Sequence, residues 1–282
     1  MGAYTKRREI SQAVARLKKA GKSVGFVPTM GTLHNGHASL INYALDHCDH
    51  VVVSIYVNPT QFNNAADLKN YPRDLDADLS FLKKYNEKIT VFAPDSFEVY
   101  GEKVVSKDFD FGGLENEMEG KFRPGHFEGV GTVLKHLFEI VKPDKAFFGE
   151  KDFQQLQIVR KLVEIESIPV EIIGCPINRH QDGLAESSRN KRLTKEQRAI
   201  APFIYKIISK VKEDFNSKDI TTINHWVKEE FSNHKNMELE YFEIADTATL
   251  KTISEKKPDA RYRAFIAVFL GDVRLIDNIA LN

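Results

Sequence analysis

The apolar positions in the first half of this chain alternate between two textures. Short, nearly all-apolar runs rich in β-branched residues occur as VGFVP at 24–28, HVVVSIYV at 50–57, ITVFAP at 89–94, KAFFGE at 145–150 and VEIIGCP at 170–176. Between them lie longer stretches with apolar residues three and four apart: HASLINYALDHC, DLDADLSFLKKY, GVGTVLKHLFEIV and FQQLQIVRKLVEIES. The first texture predicts strands and the second amphipathic helices. Strands this apolar, alternating with helices, predict a parallel sheet covered on both faces. Such a sheet binds ligands in the loops beyond the carboxyl ends of its strands.

The texture changes after Pro176. A Lys-rich helix is predicted over 194–215 and another over 221–232, followed by LEYFEIAD and RYRAFIAVFLGDVRLIDNIAL, which read as antiparallel strands with a Gly-Asp turn. The expected fold is therefore α/β, with a Rossmann-like parallel-sheet domain over 1–176 and a smaller α+β domain over 177–282. A chain of 282 residues is long enough for two such domains.

Charge and cysteine content narrow the function. Forty Lys and Arg balance forty Asp and Glu, which argues against broad electrostatic binding of nucleic acid or an anionic membrane, so an anionic ligand must be caught locally. Cys48 and Cys175 have neither disulfide-framework nor zinc-site spacing. The first stretch, MGAYTKRREISQAVARLKKAG, reads as a charged amphipathic helix and not as a signal peptide, and no run approaches membrane-spanning length. The expectation is a soluble, cytoplasmic protein.

Three strand-end loops carry candidate chemistry. In PTMGTLHNGH, at 28–37, His34 and His37 stand where a strand gives way to a helix, and Gly31 and Gly36 allow close approach to the backbone. A helix start offers unpaired N–H groups and partial positive charge, which suits phosphate. A metal pair lacks the Glu-bearing i, i+4 arrangement of zinc hydrolases, and two ordinary surface histidines remain an alternative for this stretch alone. FFGEKDFQQL, at 147–156, offers Lys151 as a point charge for phosphate and Asp152 as an acceptor for ribose hydroxyls, or else a capped helix with solvated charges. DGLAESSRN, at 182–190, combines two hydroxyls and a guanidinium suited to pyrophosphate, or marks a plain turn. The coincidence of all three favours nucleotide chemistry.

With these loops the sequence resembles the pantothenate synthetase (pantoate–β-alanine ligase) family, within the HxGH nucleotidyltransferase superfamily. The resemblance covers nearly the whole chain, through PTMGTLHNGH, YVNPTQF (56–62), YPRDLDADL (71–79), RPGHFEGVGTV (123–133), FFGEKDFQQLQIVR (147–160), DGLAESSRN and RLIDN (274–278). It implies attack of the (R)-pantoate carboxylate on the α-phosphate of ATP, release of pyrophosphate, and capture of the bound pantoyl adenylate by the β-alanine amine. Pantothenate and AMP are the products, and Mg²⁺ would be held largely by the phosphates.

Carried over by position, the resemblance implies that Pro28, Thr29, Met30, Gly31, Thr32 and Leu33, with His34, Asn35, Gly36 and His37, line the ATP site. His34, His37 and Lys151 are the implied catalytic residues, with His37 usually assigned as proton donor. Gly149, Glu150, Lys151 and Asp152 would contact ribose and phosphate, while Ser187, Ser188 and Arg189 would receive pyrophosphate. Asn178 and Glu186 join the ATP site through their backbones, at positions where the family more often has Val and Met or Leu. Asn58, Gln61 and Gln155 are implied to bind pantoate and β-alanine, and Tyr71 and Arg123 to wall or cover the cleft. Asp76 and Asp78 only partly match an acidic cluster of the family, and no protein ligand for the metal is assigned. The resemblance also implies a homodimer, and a C-terminal domain that acts as a lid over the nucleotide.

Two rival classes of function remain at this point. One is nucleotidyl transfer to another acceptor, against which the absence of an anticodon-binding module and the neutral charge speak for tRNA. The other is a non-catalytic nucleotide sensor, against which the joint presence of His34, His37, Lys151, Gln61 and Gln155 speaks.

Overall fold

A computed structural model describes residues 2–62, 68, 69 and 71–282. Its two compact units comprise Met1–Glu115, Glu119–Glu150 and Gln154–Pro176 on one side, and Asn116–Met118, Lys151–Phe153 and Ile177–Asn282 on the other. Along the chain the first elements are β1 (Ala3–Tyr4), α1 (Arg7–Lys19), β2 (Val24–Thr29), α2 (Asn35–His47) and β3 (His50–Ile55). There follow α3 (Leu75–Leu82), β4 (Ile89–Phe92), α4 (Ser96–Tyr100), α5 (Met118–Phe122), α6 (His126–Val141), β5 (Lys145–Gly149), α7 (Phe153–Ile165) and β6 (Glu171–Cys175).

The first unit is built on a six-stranded sheet in the order β1-β4-β3-β2-β5-β6, with every pair parallel. Val51, Val52 and Val53 are all fully buried, as the continuous apolar run requires of a strand covered on both faces. Successive residues face opposite ways. Val27, Val51, Val53 and Phe147 pack with Ile41 and Ala44 of α2 and Leu82 of α3, whereas Phe26 meets the edge of Phe138 of α6 at 6.1 Å. The sequence predicts a single helix through the N-terminus, but the helix begins at Arg7 and is preceded by β1, which pairs with Val91 and Phe92 at the sheet edge. A two-residue strand has no periodicity to read.

In the second unit α8 (Lys195–Ile200), α9 (Phe203–Asp214) and α10 (Ile220–Ser232) accompany an antiparallel sheet of β7 (Glu238–Asp246), β8 (Tyr262–Leu270) and β9 (Val273–Ala280). Ile204, Ile207, Ile208 and Val211 form one stripe of α9 and pack with Ile223, Val227 and Phe231 of α10 and with alternate residues Ala264, Ile266 and Val268 of β8. Gly271, at φ 62°, takes the positive dihedral that the tight β8–β9 turn needs. The single helix expected over 194–215 is instead two, α8 and α9, interrupted at Ala201 and Pro202. Proline has no N–H to continue the ladder and its ring crowds the preceding turn.

Candidate active site

The order of strands creates a switch point. From β2 the chain runs outward through β3 and β4, then returns to lay β5 on the other flank of β2, so the adjacent carboxyl ends of β2 and β5 flank a crevice. β2 ends at Thr29, within PTMGTLHNGH, and β5 at Gly149, within FFGEKD.

The first of these loops is pinned before it reaches its histidines. Thr29 Oγ1 donates to the Ser54 carbonyl at 2.7 Å and accepts the Gly31 N–H at 3.1 Å. Gly31 lies at φ 80°, and a Cβ there would stand 2.8 Å from Asp78 Oδ2, so only glycine fits. Thr32 follows at φ 56° and Leu33 is buried, with their N–H groups donating to the two carboxylate oxygens of Asp78 at 2.9 and 2.7 Å. Asp78 is 4% exposed and Asp76 exposed, which places Asp78 on the inner stripe of α3 beside Leu82. The buried carboxylate holds a loop backbone.

His34 caps α2, with its Nδ1 accepting the Gly36 N–H at 3.1 Å, while His37 Nδ1 accepts the His34 N–H at 3.3 Å. The two rings sit 4.1 Å apart between centroids. An Nδ1 that accepts a backbone N–H carries no proton, so each neutral imidazole keeps its proton on Nε2. Both histidines therefore present Nε2–H as a donor at a helix start. Asn35 is exposed and Gly36 half-buried beside them.

A second constellation of the first unit orients Gln61. Asn58 is 1% exposed, and its Oδ1 accepts from Thr60 N at 3.4 Å, Thr60 Oγ1 at 3.0 Å and the Tyr100 hydroxyl at 2.6 Å. Its Nδ2 donates to the Gly129 carbonyl and to Gln61 Oε1, both at 3.1 Å. The Asn58 amide is thus committed to the protein, and the bond to Oε1 leaves Gln61 Nε2 as the donating end, 3.1 Å from Met30 Sδ. The Gln61 carbonyl takes His126 Nδ1 at 2.9 Å and Arg123 Nη2 at 3.4 Å. Burial pushes the Tyr100 phenol up to about 12, with its bonds to Thr60 and Asn58 acting the other way. Tyr71 packs edge-on against Phe62 at 5.5 Å, next to Gln61 in the chain.

On α7 the neighbouring glutamines differ in their surroundings. Gln154 is buried, accepts the Glu119 N–H at 3.0 Å and donates to the Leu114 carbonyl at 2.8 Å, whereas Gln155 is half-buried. Glu150, after β5, faces Cys175, whose thiol is pushed up to about 12 by burial first and the Glu150 charge second.

The remaining candidates belong to the second unit. Lys151 is half-buried, its Nζ 3.4 Å from Asp152 Oδ1, and its carbonyl accepts Asn278 Nδ2 at 2.8 Å. Residues 178–186 form a small hairpin: Glu186 N–H donates to the Asn178 carbonyl at 3.0 Å, and Arg179 bridges Ala185. The Glu186 carboxylate stands 3.6 Å from His180 Nδ1. Gly183, at the tip, has φ 91°, and a Cβ there would lie 2.1 Å from the Tyr205 ring. Ser187 Oγ accepts the Arg189 N–H at 3.2 Å and caps a 3₁₀ turn over Ser188–Arg192. That hydroxyl still has its proton to donate, and Ser188 and Arg189 are half-buried beside it.

The described residues offer the first unit no ready-made cage for a metal ion. Among the described residues no group of three or more His, Cys, Asp or Glu is arranged to hold a metal, and Asp78 spends both oxygens on backbone N–H groups. Mg²⁺ commonly rides on substrate phosphates and water with little protein ligation.

Sequence reasoning left several of these residues without a role. Asp78 was visible as an acid on the apolar stripe of α3, a position that demands a buried partner. Tyr100, 42 residues from the amide it holds, has no local signal.

A parallel sheet with a glycine-bearing, histidine-capped helix start at its switch point defines a nucleotide-binding α/β enzyme. The family model described as pantoate-beta-alanine ligase matches residues 3–280, and the chain belongs to that family. Among relatives, the pantothenate synthetase of Christiangramia forsetii is 53% identical over 282 residues, covering 100% of both chains, and that of Flavobacterium psychrophilum 51% identical over 279 residues, covering 99% of each. The crystal structure of pantothenate synthetase from Thermus thermophilus superposes with a TM-score of 0.89 at 36% identity, covering 100% of this chain and 99% of that one. A pantoate-beta-alanine ligase from Francisella tularensis, complexed with beta-gamma ATP and beta-alanine, gives 0.79 at 35% identity over 100% and 98%. The α/β expectation holds, and the chain is a ligase.

Proposed function

We propose that this chain condenses (R)-pantoate with β-alanine in two steps through a pantoyl adenylate, yielding pantothenate, AMP and pyrophosphate. ATP-dependent ligation of pantoate to β-alanine is the reaction of the family to which it belongs. The observation that carries the residue assignment is the engagement of Nδ1 of both His34 and His37 by backbone N–H groups at the start of α2. Two fixed donors and a helix N-terminus stabilise negative charge that grows on phosphate oxygens as the pantoate carboxylate attacks the α-phosphorus. His37, which the resemblance names as proton donor, acts as a neutral imidazole by donating a hydrogen bond from Nε2–H to the departing side.

Gln61 and Gln155 orient pantoate, whose hydroxyls and carboxylate suit amide donors and acceptors; Asn58 acts through Gln61, to which its own amide is bonded. Lys151 takes up outgoing charge on the phosphates, and Ser187, Ser188 and Arg189 receive pyrophosphate. Gly149, Glu150 and Asp152 serve the ribose and phosphate side, Asn178 and Glu186 the adenine side through their backbones, and Tyr71 and Arg123 the wall of the pantoate site. Mg²⁺, when bound on the triphosphate, supplies charge neutralisation there. Adenylation solves a leaving-group problem, since a carboxylate cannot expel oxide whereas an acyl phosphate expels AMP to the β-alanine amine.

The family resemblance also supports a homodimer in the cytoplasm, and no described helix is long and apolar enough to cross a membrane. Pyrophosphate–ATP exchange with pantoate present and β-alanine absent tests the two-step reading. Exchange that requires pantoate is expected. Folded protein that makes pantothenate without any such exchange overturns the adenylate.

A further inference from the structure

The RLIDN stretch within β9 has no part in the roles assigned above, yet it carries a heavily bonded, buried polar cluster of the second unit. Asp277 and Asn278 are 5% and 1% exposed. Arg179 grips Asp277 through both carboxylate oxygens, Nη1 to Oδ2 at 2.6 Å and Nη2 to Oδ1 at 2.9 Å, and its guanidinium lies 4.1 Å over the Tyr205 ring. The same guanidinium donates to the Gly183 carbonyl at 3.1 Å and the Asn278 carbonyl at 3.3 Å. Asn278 donates its backbone N–H to Asp277 Oδ1 at 2.8 Å and its Nδ2 to the Lys151 carbonyl at 2.8 Å. Its Oδ1 accepts from Arg263, whose guanidinium sits 4.2 Å over Phe153.

Burying an ion pair is seldom the cheapest way to stabilise a strand, because apolar residues of like volume do so without desolvating charge. What this cluster gives that apolar packing cannot is direction. One end grips the backbone of Lys151, and the other grips the hairpin that runs through Gly183 and Ala185 into Ser187–Arg189. These segments are far apart in sequence, and the last strand joins them through neighbouring residues.

We propose that Asn278, braced by Arg179–Asp277 and Arg263, is a positioning residue that fixes Lys151 relative to the Ser187–Arg189 turn for departure of pyrophosphate. The inference rests on the phosphate roles assigned to Lys151 and that turn. Displacing a charge-stabilising group by about an ångström commonly costs two orders of magnitude in rate.

Asn278→Asp keeps size and the acceptor for Arg263 but turns a carboxylate oxygen towards the Lys151 carbonyl. Full-length parent, Asn278→Asp, Lys151→Ala and the double variant are compared by pantoate-dependent pyrophosphate–ATP exchange and thermal midpoint. Exchange by Asn278→Asp at saturating substrates should fall roughly 10- to 100-fold, with the pantoate KM within about twofold. The double variant should be no slower than Lys151→Ala alone, because the second change acts through a side chain already removed. Losses that multiply in the double variant, or exchange by Asn278→Asp within about threefold of the parent, overturn the positioning role. Normal exchange by Lys151→Ala overturns the assignment of Lys151 itself and this inference with it. If Asn278→Asp does not fold, Asn278→Ser, which withdraws the reach to Lys151, carries the same comparison.

Discussion

Asp78 Oδ2 accepts the N–H of Thr32 at 2.9 Å and thereby holds a β-branched residue at φ 56°, in left-handed backbone that such residues avoid. With the bond from Leu33 to Oδ1, the carboxylate sets the path of the chain into His34. Left-handed backbone costs about 1–2 kcal/mol for a residue other than glycine, an amount that two charge-assisted bonds offset.

Asp78→Asn keeps the shape but aims an NH₂ group at a backbone N–H. The variant is expected to lose about 1–3 kcal/mol of stability, the cost of a buried polar group left without a partner, and to slow pyrophosphate exchange by about tenfold or more as the loop relaxes. Denaturant midpoints and exchange rates measured together check this. Full activity in Asp78→Asn would show that the histidines keep their place without the clamp.

The histidine pair can be tested by splitting its two functions. In His37→Gln the amide N–H falls near the Nε2 position, while in His37→Asn the amide oxygen falls near Nδ1 and can still accept the His34 N–H. If Nε2–H is the group that meets phosphate, Asn and Ala should each cost about a hundredfold or more in exchange, and Gln clearly less. Nitrogen-15 spectra of labelled histidine should show both rings of the free protein with the proton on Nε2. Equal losses for Gln and Asn would remove the donor role.

The strands of the first unit could be read because each is long, apolar and flanked by helical periodicity; VVV at 51–53 leaves few alternatives. The positions of the three candidate loops were legible for a related reason, since each follows an apolar run. Pairings across long separations were not. Nothing in the sequence near Asn58 says that its amide faces the hydroxyl of Tyr100, and nothing near Lys151 points to Asn278, 127 residues on. Such bonds come from the topology, which brings residues together only after the sheets exist. The break at Pro202 was visible, and helical periodicity on both sides masked it.

The phenol of Tyr100 fixes an alkaline limit. Its ionisation is raised to about 12 by burial, from an ordinary value near 10. The folded state thus prefers the neutral phenol, so its stability contribution is complete below about pH 10 and is lost as pH climbs from there towards 12. Tyr56 is raised in the same direction by burial and adds to the loss. Tyr100→Phe should flatten the alkaline fall in melting temperature, cost about 1 kcal/mol near neutrality, and raise the pantoate KM by loosening Asn58 and Gln61. An alkaline fall as steep as the parent's would exclude Tyr100 as its source.

On the acid side two imidazoles contribute. Burial lowers His50, helped by the Lys22 charge, and burial lowers His136 against the opposing pull of Glu139. Both favour the neutral ring in the folded state, so the stability they give is complete above about pH 6.5 and declines as pH falls through that value towards their folded ones. Melting temperature should drop between pH 7 and pH 5, and His50→Gln, which can still bond Thr90 Oγ1, should reduce the drop. No change in that slope would assign the acid loss elsewhere.

Gly129 tests whether backbone proximity sets the geometry of Gln61. A Cβ at Gly129 would fall 2.4 Å from the Thr60 carbonyl oxygen and 2.8 Å from the Gln61 nitrogen, so α6 would have to retreat from rigid backbone. The neighbouring Gly131 would place its Cβ 3.0 Å from Phe111 and 3.1 Å from Phe109, side chains that can yield by a few tenths of an ångström. Both are on one helix, and each substitution replaces glycine by the better helix former, which favours the variant by about 1 kcal/mol. Any difference between them therefore reports what each Cβ meets. Gly129→Ala should lose about 1–3 kcal/mol of stability and raise the pantoate KM about fivefold or more, since the retreat breaks the Asn58 bond to the Gly129 carbonyl. Gly131→Ala should leave that KM within about twofold. Equal KM values in the two variants would mean that Gln61 is held by its own turn, independently of α6.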